Sequence, residues 1–426
     1  MDSQRPPTET ERDSFYNGLP SRPKLVARSS TIPLRLGLDG WSSERKMLTV
    51  VGEHAIVSKW NDEPSSLRND ILGILTRQKV DWQAVDILRI GYADDEMPVI
   101  LSISVSAGTP WEMGNSVARD CRQALVGHGL DDVHCEMKES RLVNLASVLQ
   151  QDSHQYPPYF HSYMYHLSDR LGTSIASREV PYREGTKGIY LRRAGGEPDE
   201  IFALTCRHVC YLESKDETNR LLQHFILRED LDTRVFGHVA YTSDYALSNR
   251  VYIGPHDLRT LFPRTVRIQD PDDDGTLCIR GTVAVSELKD PKTKLTVGMR
   301  GWTLDLKFGL VNQVKSVTRR LLSDEDTFIS MECGIVTERI NNAFTERGDS
   351  GACVFDLEGR AVGMVTSGIT RDEILRGDVD FGLDQAMDVT YTTPMEWLLE
   401  DMKACDLSME ILWERQQRLA SRGEIR

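Results

Sequence analysis

The sequence predicts a multidomain chain, with a small α+β unit over about 36–150 and an all-β barrel or sandwich over about 172–403. Three observations predict it. The runs "VDILRIGY", "VILSISVS", "NSVARDCRQALVGHG" and "DVHCEMK" read in order as strand, strand, helix, strand. After residue 172, short β-like runs recur between Gly, Pro and Asp turns, among them "GIYLRR", "IFALTC", "VFGHVAY", "RVYIG", "GACVFD" and "AVGMVTSG", with almost no helical periodicity. Finally, 426 residues suffice for two or three domains, and 27% charged with 40% hydrophobic residues is the balance of a globular protein.

Residues 1–35 are rich in Pro, Ser and charge and read as a flexible leader. "LRNDILGILTRQ" places Leu67, Ile71, Ile74 and Leu75 on one helical face. "VILSISVS" alternates, with Val99, Leu101, Ile103 and Val105 on one side and Ser102, Ser104 and Ser106 on the other. The following helix presents Val117, Cys121, Ala124 and Leu125 and stops at Gly127 and Gly129. "DVHCEMK" alternates through Val133, Cys135 and Met137. His54, His128 and His134 are isolated and read as ordinary surface or core residues, so this unit carries no catalytic signature. Its expected role is interaction or regulation, with a regulatory partner as the implied ligand.

"LVNLASVLQ" reads as a short connecting helix. Residues 151–171 read as a linker whose aromatics pack on a neighbour, in preference to a metal set of His154, His161 and His166. The C-terminal stretch from "TPMEWLLEDM" onward reads as helical, with 404–426 as a helical tail.

The net charge of −14 argues against nucleic acid as a partner, since that binding is driven by positive charge. No window reaches the ~18 apolar residues of a membrane span, and the first residues hold no apolar core of signal-peptide length, so no membrane is expected and the cytoplasm or nucleus is the expected location. The eight scattered cysteines read as free thiols. Cys206, His208 and Cys210 have no second cluster to complete a metal site, so neither metal nor other cofactor is expected.

The chemistry concentrates in "FTERGDSGACVFDLEGRAVGMVTSG", residues 344–368. Gly348 and Gly351 permit backbone angles that other residues resist, and the apolar runs around Glu358-Gly359 form a hairpin. A serine between two such glycines can expose its hydroxyl while two backbone N–H groups aim at one point in front of it, which is what acyl transfer needs. All ten histidines precede Ser350 and a strand-like run follows it. That excludes the α/β-hydrolase elbow, which places its His after the Ser and a helix behind it. An upstream base is required. His208 follows the apolar run of "FALTCRHV", and Asp244 in "YTSDYALSN" is placed to orient it, with His238 as a rival base and a turn-capping role as the plain alternative for Asp244.

These residues together resemble the chymotrypsin-like (trypsin-fold) serine peptidases of the disulfide-free intracellular type. "LTCRHV", "SDYAL" and "GDSGACVFD…GRAVGMVTSG" are similar to that family's three catalytic blocks in its order. "VGMRGWTLDLKFGLV", through Gly298, Thr303 and Gly309, is similar to one of its hairpins, and "DVTYTTPMEWLLEDM" to its closing strand and helix. The resemblance covers roughly 172–403 and implies a double six-stranded β-barrel. It implies a serine endopeptidase in which His208, Asp244 and Ser350 form the catalytic triad, the N–H groups of Gly348 and Ser350 form the oxyanion hole, and Ser367 and Gly368 pair with an extended protein or peptide substrate. By family spacing, Phe344, Thr345 and Glu346 lie near the base of the specificity pocket. Two departures matter. The family's disulfide cysteines are missing around His208 and Ser350, and no freed amino terminus is visible to pair with Asp349, which must find another partner or leave the loop inactive. The alternatives are a latent or inactive trypsin-like scaffold serving as a regulatory binding module, and a non-peptidase hydrolase such as an esterase.

Overall fold

The structure is a computed structural model of the chain, and it describes residues 5–31, 33–37, 42–145, 147–148, 171–176, 183–196, 201–210, 235–238, 249–252, 276–301, 306–321, 327–371 and 386–412. The first part runs α1 (Glu9–Ser14), β1 (Lys24–Arg28), β2 (Lys46–Thr49), α2 (Ile56–Asn61), α3 (Ser66–Arg77), β3 (Trp82–Tyr92), β4 (Val99–Val105), α4 (Trp111–Gly127) and β5 (His134–Glu139). Helix α3 starts where Ser65 Oγ accepts the Arg68 N–H at 3.0 Å, which satisfies one of the amides left over at a helix start. Leu67, Ile71, Ile74 and Leu75 of α3 and Val117, Cys121 and Leu125 of α4 are buried against Leu101, Ile103, Val105, Cys135 and Met137 of the sheet. The expected strand, strand, helix, strand order is therefore present. One detail differs: β4 is buried on both faces, Ser102 and Ser104 included, because Phe15, Tyr16, Leu19 and Tyr391 cover the second face of the sheet.

That covering corrects the flexible-leader reading of 1–35 for its central part. Phe15, Tyr16 and Leu19 are buried, and β1 pairs with β5. The Pro- and charge-rich composition hides two short apolar groups, at 15–19 and 25–27, that find partners only in the folded sheet.

The chain continues through β6 (Arg141–Asn144), β7 (Ser147–Val148), β8 (Ser174–Ala176), β9 (Arg183–Thr186), β10 (Tyr190–Arg193), β11 (Ile201–Leu204), the single turn α5 (Arg207–Cys210), β12 (Val235–His238), β13 (Arg250–Tyr252) and β14 (Thr276–Cys278). It ends with α6 (Val285–Leu288), β15 (Thr296–Arg300), β16 (Leu306–Val311), β17 (Ser316–Leu321), β18 (Thr327–Val336), β19 (Cys353–Asp356), β20 (Ala361–Thr370), β21 (Val389–Pro394), α7 (Met395–Ala404) and β22 (Met409–Ile411). The segment expected as a connecting helix is β6 and β7 instead: it is extended because both pieces pair with distant strands. The helical tail is also corrected, since residues 409–411 pair with β10 as a strand. Most of the predicted linker, residues 151–170, and the tail from 413 lie outside the described residues.

The fold is mostly β, and its largest part is a mixed sheet that among the described residues has 13 strands. It is mixed because β4 and β5 run parallel while their neighbours pair antiparallel. The sheet does not stop at the end of the first unit. Val317 and Thr318 of β17 pair with Val85 and Ala84 of β3. Side chains reinforce the junction: Trp60 Nε1 donates to the Lys315 carbonyl at 2.8 Å, Asn61 to that of Gln313 at 2.7 Å, and Asn312 to that of Ile87 at 2.8 Å.

A second junction is polar and buried. Tyr391 of β21 donates to Asp86 of β3 at 2.9 Å, and Asp388 accepts from the Ser21 N–H at 2.8 Å and its hydroxyl at 2.7 Å. Burial pushes the Asp86 carboxyl above its ordinary value of 3.8, against the pull of the Ser316 hydroxyl, Lys138 and Tyr391. The folded chain therefore holds this proton to higher pH than the unfolded chain does. The resulting stability is present below the ordinary carboxylate value and is lost as pH rises through the raised one. Asp86→Asn is expected to remove that part of the pH slope, read as the urea midpoint of variant and parent at successive pH values. Curves that stay parallel would exclude Asp86 as its source.

Candidate active site

His208 sits in the single turn α5, directly after β11 ends at Leu204. The turn is anchored by the fully buried Val209, against which the Cβ-less Gly185 allows β9 to close, and by the Cys206 thiol, which donates to the Val365 carbonyl at 3.1 Å. Ser350 lies in the loop before β19. Gly348 (φ +102°) and Gly351 (φ +92°) take conformations that side chains resist, and together they turn Ser350 toward His208. The loop is tied from outside: Thr186 donates its hydroxyl to the Gly348 carbonyl at 2.8 Å and its N–H to the Ser350 carbonyl at 2.8 Å, while Gly351 donates to Val365 at 2.8 Å.

The two predicted residues, 142 apart in sequence, meet. His208 Nε2 stands 2.6 Å from Ser350 Oγ. Ser350 Oγ has one proton and two acceptors in reach, Nε2 and the Thr366 carbonyl at 3.3 Å, and the shorter contact marks Nε2 as the better one. With Nε2 accepting, Nδ1 carries the imidazole proton. Asp244, expected to receive that proton's hydrogen bond, lies outside the described residues, as do Thr303 and the side chain of the rival base His238.

Asp349 is fully buried, and its Oδ2 accepts the Glu346 N–H at 2.8 Å while the carboxylate packs against Gly301. The loop thus supplies Asp349 with a partner of its own, the Glu346 N–H. Phe344 is buried among Ala352, Val354, Val365 and Met387. Thr345 is buried with its hydroxyl 2.6 Å from that of Thr390, and Glu346 pairs with Lys307 at 2.7 Å. Glu346 is thus engaged at the side, and the buried aromatic Phe344 sets an apolar character for this end of the site.

Ser367 and Gly368 lie in β20 and are paired, but with the chain itself. Strand β6 runs antiparallel along β20, with Asn144 opposite Ser367, Val143 opposite Gly368 and Leu142 opposite Ile369. Leu145 follows. Its carbonyl accepts the Gly348 N–H and lies 3.5 Å from the Ser350 N–H, and its own N–H donates to Ser350 Oγ at 3.0 Å. The Leu145 side chain is fully buried in the cluster that contains Phe344. Beyond residue 146, β7 pairs antiparallel with β9, Ser147 opposite Glu184 and Val148 opposite Arg183. Reasoning from the sequence missed this occupant, and it missed Thr186 as the residue that clamps the serine loop. Leucines at helical spacing concealed the first, and nothing local marks the second.

Among the described residues no group of three His, Cys, Asp or Glu side chains converges to hold a metal ion, and no helix is long and apolar enough to cross a membrane. The seven cysteines described are free thiols.

No family model and no curated protein matches this chain. Solved structures do. Thermobifida fusca Protease A is 15% identical over 54% of this chain and 92% of its own, with a TM-score of 0.28. A glutamic acid specific serine protease, described as using a novel histidine triad in substrate binding, is 12% identical over 57% of this chain and 100% of its own, with a TM-score of 0.30. Nocardiopsis protease (NAPase) is 12% identical over 54% and 92%, with a TM-score of 0.28. Likeness at this level assigns no role to any residue here.

Proposed function

We propose that this chain is a serine endopeptidase that hydrolyses peptide bonds through an acyl-enzyme. Ser350 is the nucleophile and His208 the base that takes its proton and returns it to the leaving amine. Asp244 orients His208, and the N–H groups of Gly348 and Ser350 stabilise the oxyanion. Residues 172–403 would then form the double six-stranded barrel of the trypsin-fold enzymes, with the α+β unit set before it. One observation carries the reading: the 2.6 Å contact between Nε2 and Oγ lies beside a peptide carbonyl that already faces the Gly348 N–H. That arrangement supports Ser350 as nucleophile, His208 as base and the Gly348 N–H as a carbonyl-binding donor. The buried Phe344 favours an apolar residue on the acyl side of the cut bond.

The reading of a latent or inactive scaffold is favoured by one observation, that residues 141–145 already fill the site. The two are separated by emptying it. Leu145→Asp places a carboxylate in the apolar cluster, a cost that expels the segment. The Leu145→Asp chain is expected to react with a fluorophosphonate probe, and Leu145→Asp/Ser350→Ala to lose all labelling. A folded Leu145→Asp chain that stays unlabelled would establish the latent scaffold. Labelling that survives the loss of Ser350 would place the nucleophile elsewhere.

A further inference from the structure

We infer that the chain is its own substrate: Ser350 cuts the peptide bond between Leu145 and Ala146 in the same molecule. This rests on the reading of Ser350 and His208 as a hydrolytic pair.

Direction and register together mark the segment as a substrate. A segment that merely blocks a peptidase can cross it in any orientation. Here the chain is paired on both sides of Leu145, by β20 up to Asn144 and by β9 from Ser147. Between these ladders, the Leu145 carbonyl faces the Gly348 N–H, and the Leu145 N–H faces Ser350 Oγ at 3.0 Å. The carbonyl carbon of Leu145 therefore lies between an oxygen at the donors and a nitrogen beside the nucleophile. The Leu145 side chain completes the fit by filling the cluster of Phe344, Val365 and Met387. Backbone pairing supplies affinity in this mode and the buried side chain supplies selectivity.

Delivery is built in. Glu139, the last residue of β5, is separated from Arg141 of β6 by the buried Ser140 alone. The β3–β17 pairing and the Asp86–Tyr391 bond fix the sheet from which β6 departs. Reactants held this way reach effective concentrations of ~10⁵–10⁸ M in well-oriented cases.

The step balances with water as the only co-reactant. Ser350 Oγ bonds to the Leu145 carbonyl carbon as its proton moves to His208 Nε2. The carbon–nitrogen bond to residue 146 breaks, and that nitrogen takes the proton from His208. Water, deprotonated by the same nitrogen of His208, then attacks the Leu145 ester and releases Ser350. The products are a chain ending in the Leu145 carboxylate and a chain beginning with the Ala146 amine.

The test uses the full chain, made in a cell-free system and followed by intact-mass analysis under denaturing conditions. The wild type is expected to yield two fragments, 1–145 and 146–426, with a half-time independent of chain concentration. Ser350→Ala and Leu145→Asp are expected to remain uncut at this bond, with near-ultraviolet dichroism confirming that each is folded. Wild type that remains a single chain, a cut at any other bond instead, a cut that survives in Ser350→Ala, or a rate proportional to concentration would each overturn the inference. Fluorophosphonate labelling of Leu145→Asp separates the two levels. An uncut wild type beside a labelled Leu145→Asp removes self-cleavage and keeps the peptidase. An uncut wild type beside an unlabelled, folded Leu145→Asp removes both.

Discussion

His208→Ala is expected to slow acylation of Ser350 by about 10²–10⁴-fold, the usual contribution of a positioned base. That range corresponds to about 3–5 kcal/mol of barrier. The physical reason is the 2.6 Å contact: a serine hydroxyl is a poor nucleophile near neutral pH, and here Nε2 is the nearest acceptor for its proton. The Thr366 carbonyl at 3.3 Å cannot replace it, because an amide oxygen is too weak a base to take a proton. The rate should be measured as probe labelling in the Leu145→Asp background, where the site is open, and as self-cleavage in the wild-type background. Both should fall together. A labelling rate within threefold of the parent would mean that another group is the base.

Gly351→Ala is expected to cost about 2–6 kcal/mol of stability and to abolish labelling of Ser350. Two terms add. The φ of +92° is strained for any residue with a Cβ, a cost on the order of 1–3 kcal/mol. A Cβ there would also collide with the Thr186 carbonyl and the Thr205 hydroxyl, and overpacking of a closed site costs about 1–3 kcal/mol more. Neither obstacle is a flexible chain end: one is backbone, and the Thr205 hydroxyl is held by the Thr186 carbonyl at 2.8 Å. The loop must therefore move, and Ser350 moves with it. Denaturant unfolding measures the first effect and probe labelling the second. A variant as stable as the parent would show that the loop has room that the close approach denies.

What the sequence made legible was local. Gly348 and Gly351 announce an unusual backbone around Ser350 because only glycine takes those angles without strain. His208 is visible because an apolar strand ends just before it, and the absence of any histidine after Ser350 removes the main competing architecture. The helical faces of α3 and α4 were readable from period alone, and both are buried except for the half-buried Ala124. The misreadings share a cause, which is that the deciding partner lies far along the chain. Leu142, Leu145 and Leu149 keep helical spacing, yet 141–148 is drawn out by strands β20 and β9. Phe15 and Tyr16 sit in a charged, Pro-rich stretch, yet they cover a sheet built from residues 82–139. Ser102 and Ser104 mark an outer face by alternation, but a second layer encloses them. Asp244 belongs to a different case: it falls outside the described residues, so its role stands on the sequence alone.

The ladder between β3 and β17 also governs how the molecule can come apart. Severing the backbone at one point would leave the halves clasped, since Trp60 and Asn61 still grip the far side and Val314 and Val317 share one apolar core with α2 and α3. A nicked particle would travel through a sizing column as a single body and separate only in detergent or denaturant. Trimming the gene to its latter half would strip β17 of a neighbour and leave a sticky, unpaired border, the kind of surface that drives chains to precipitate.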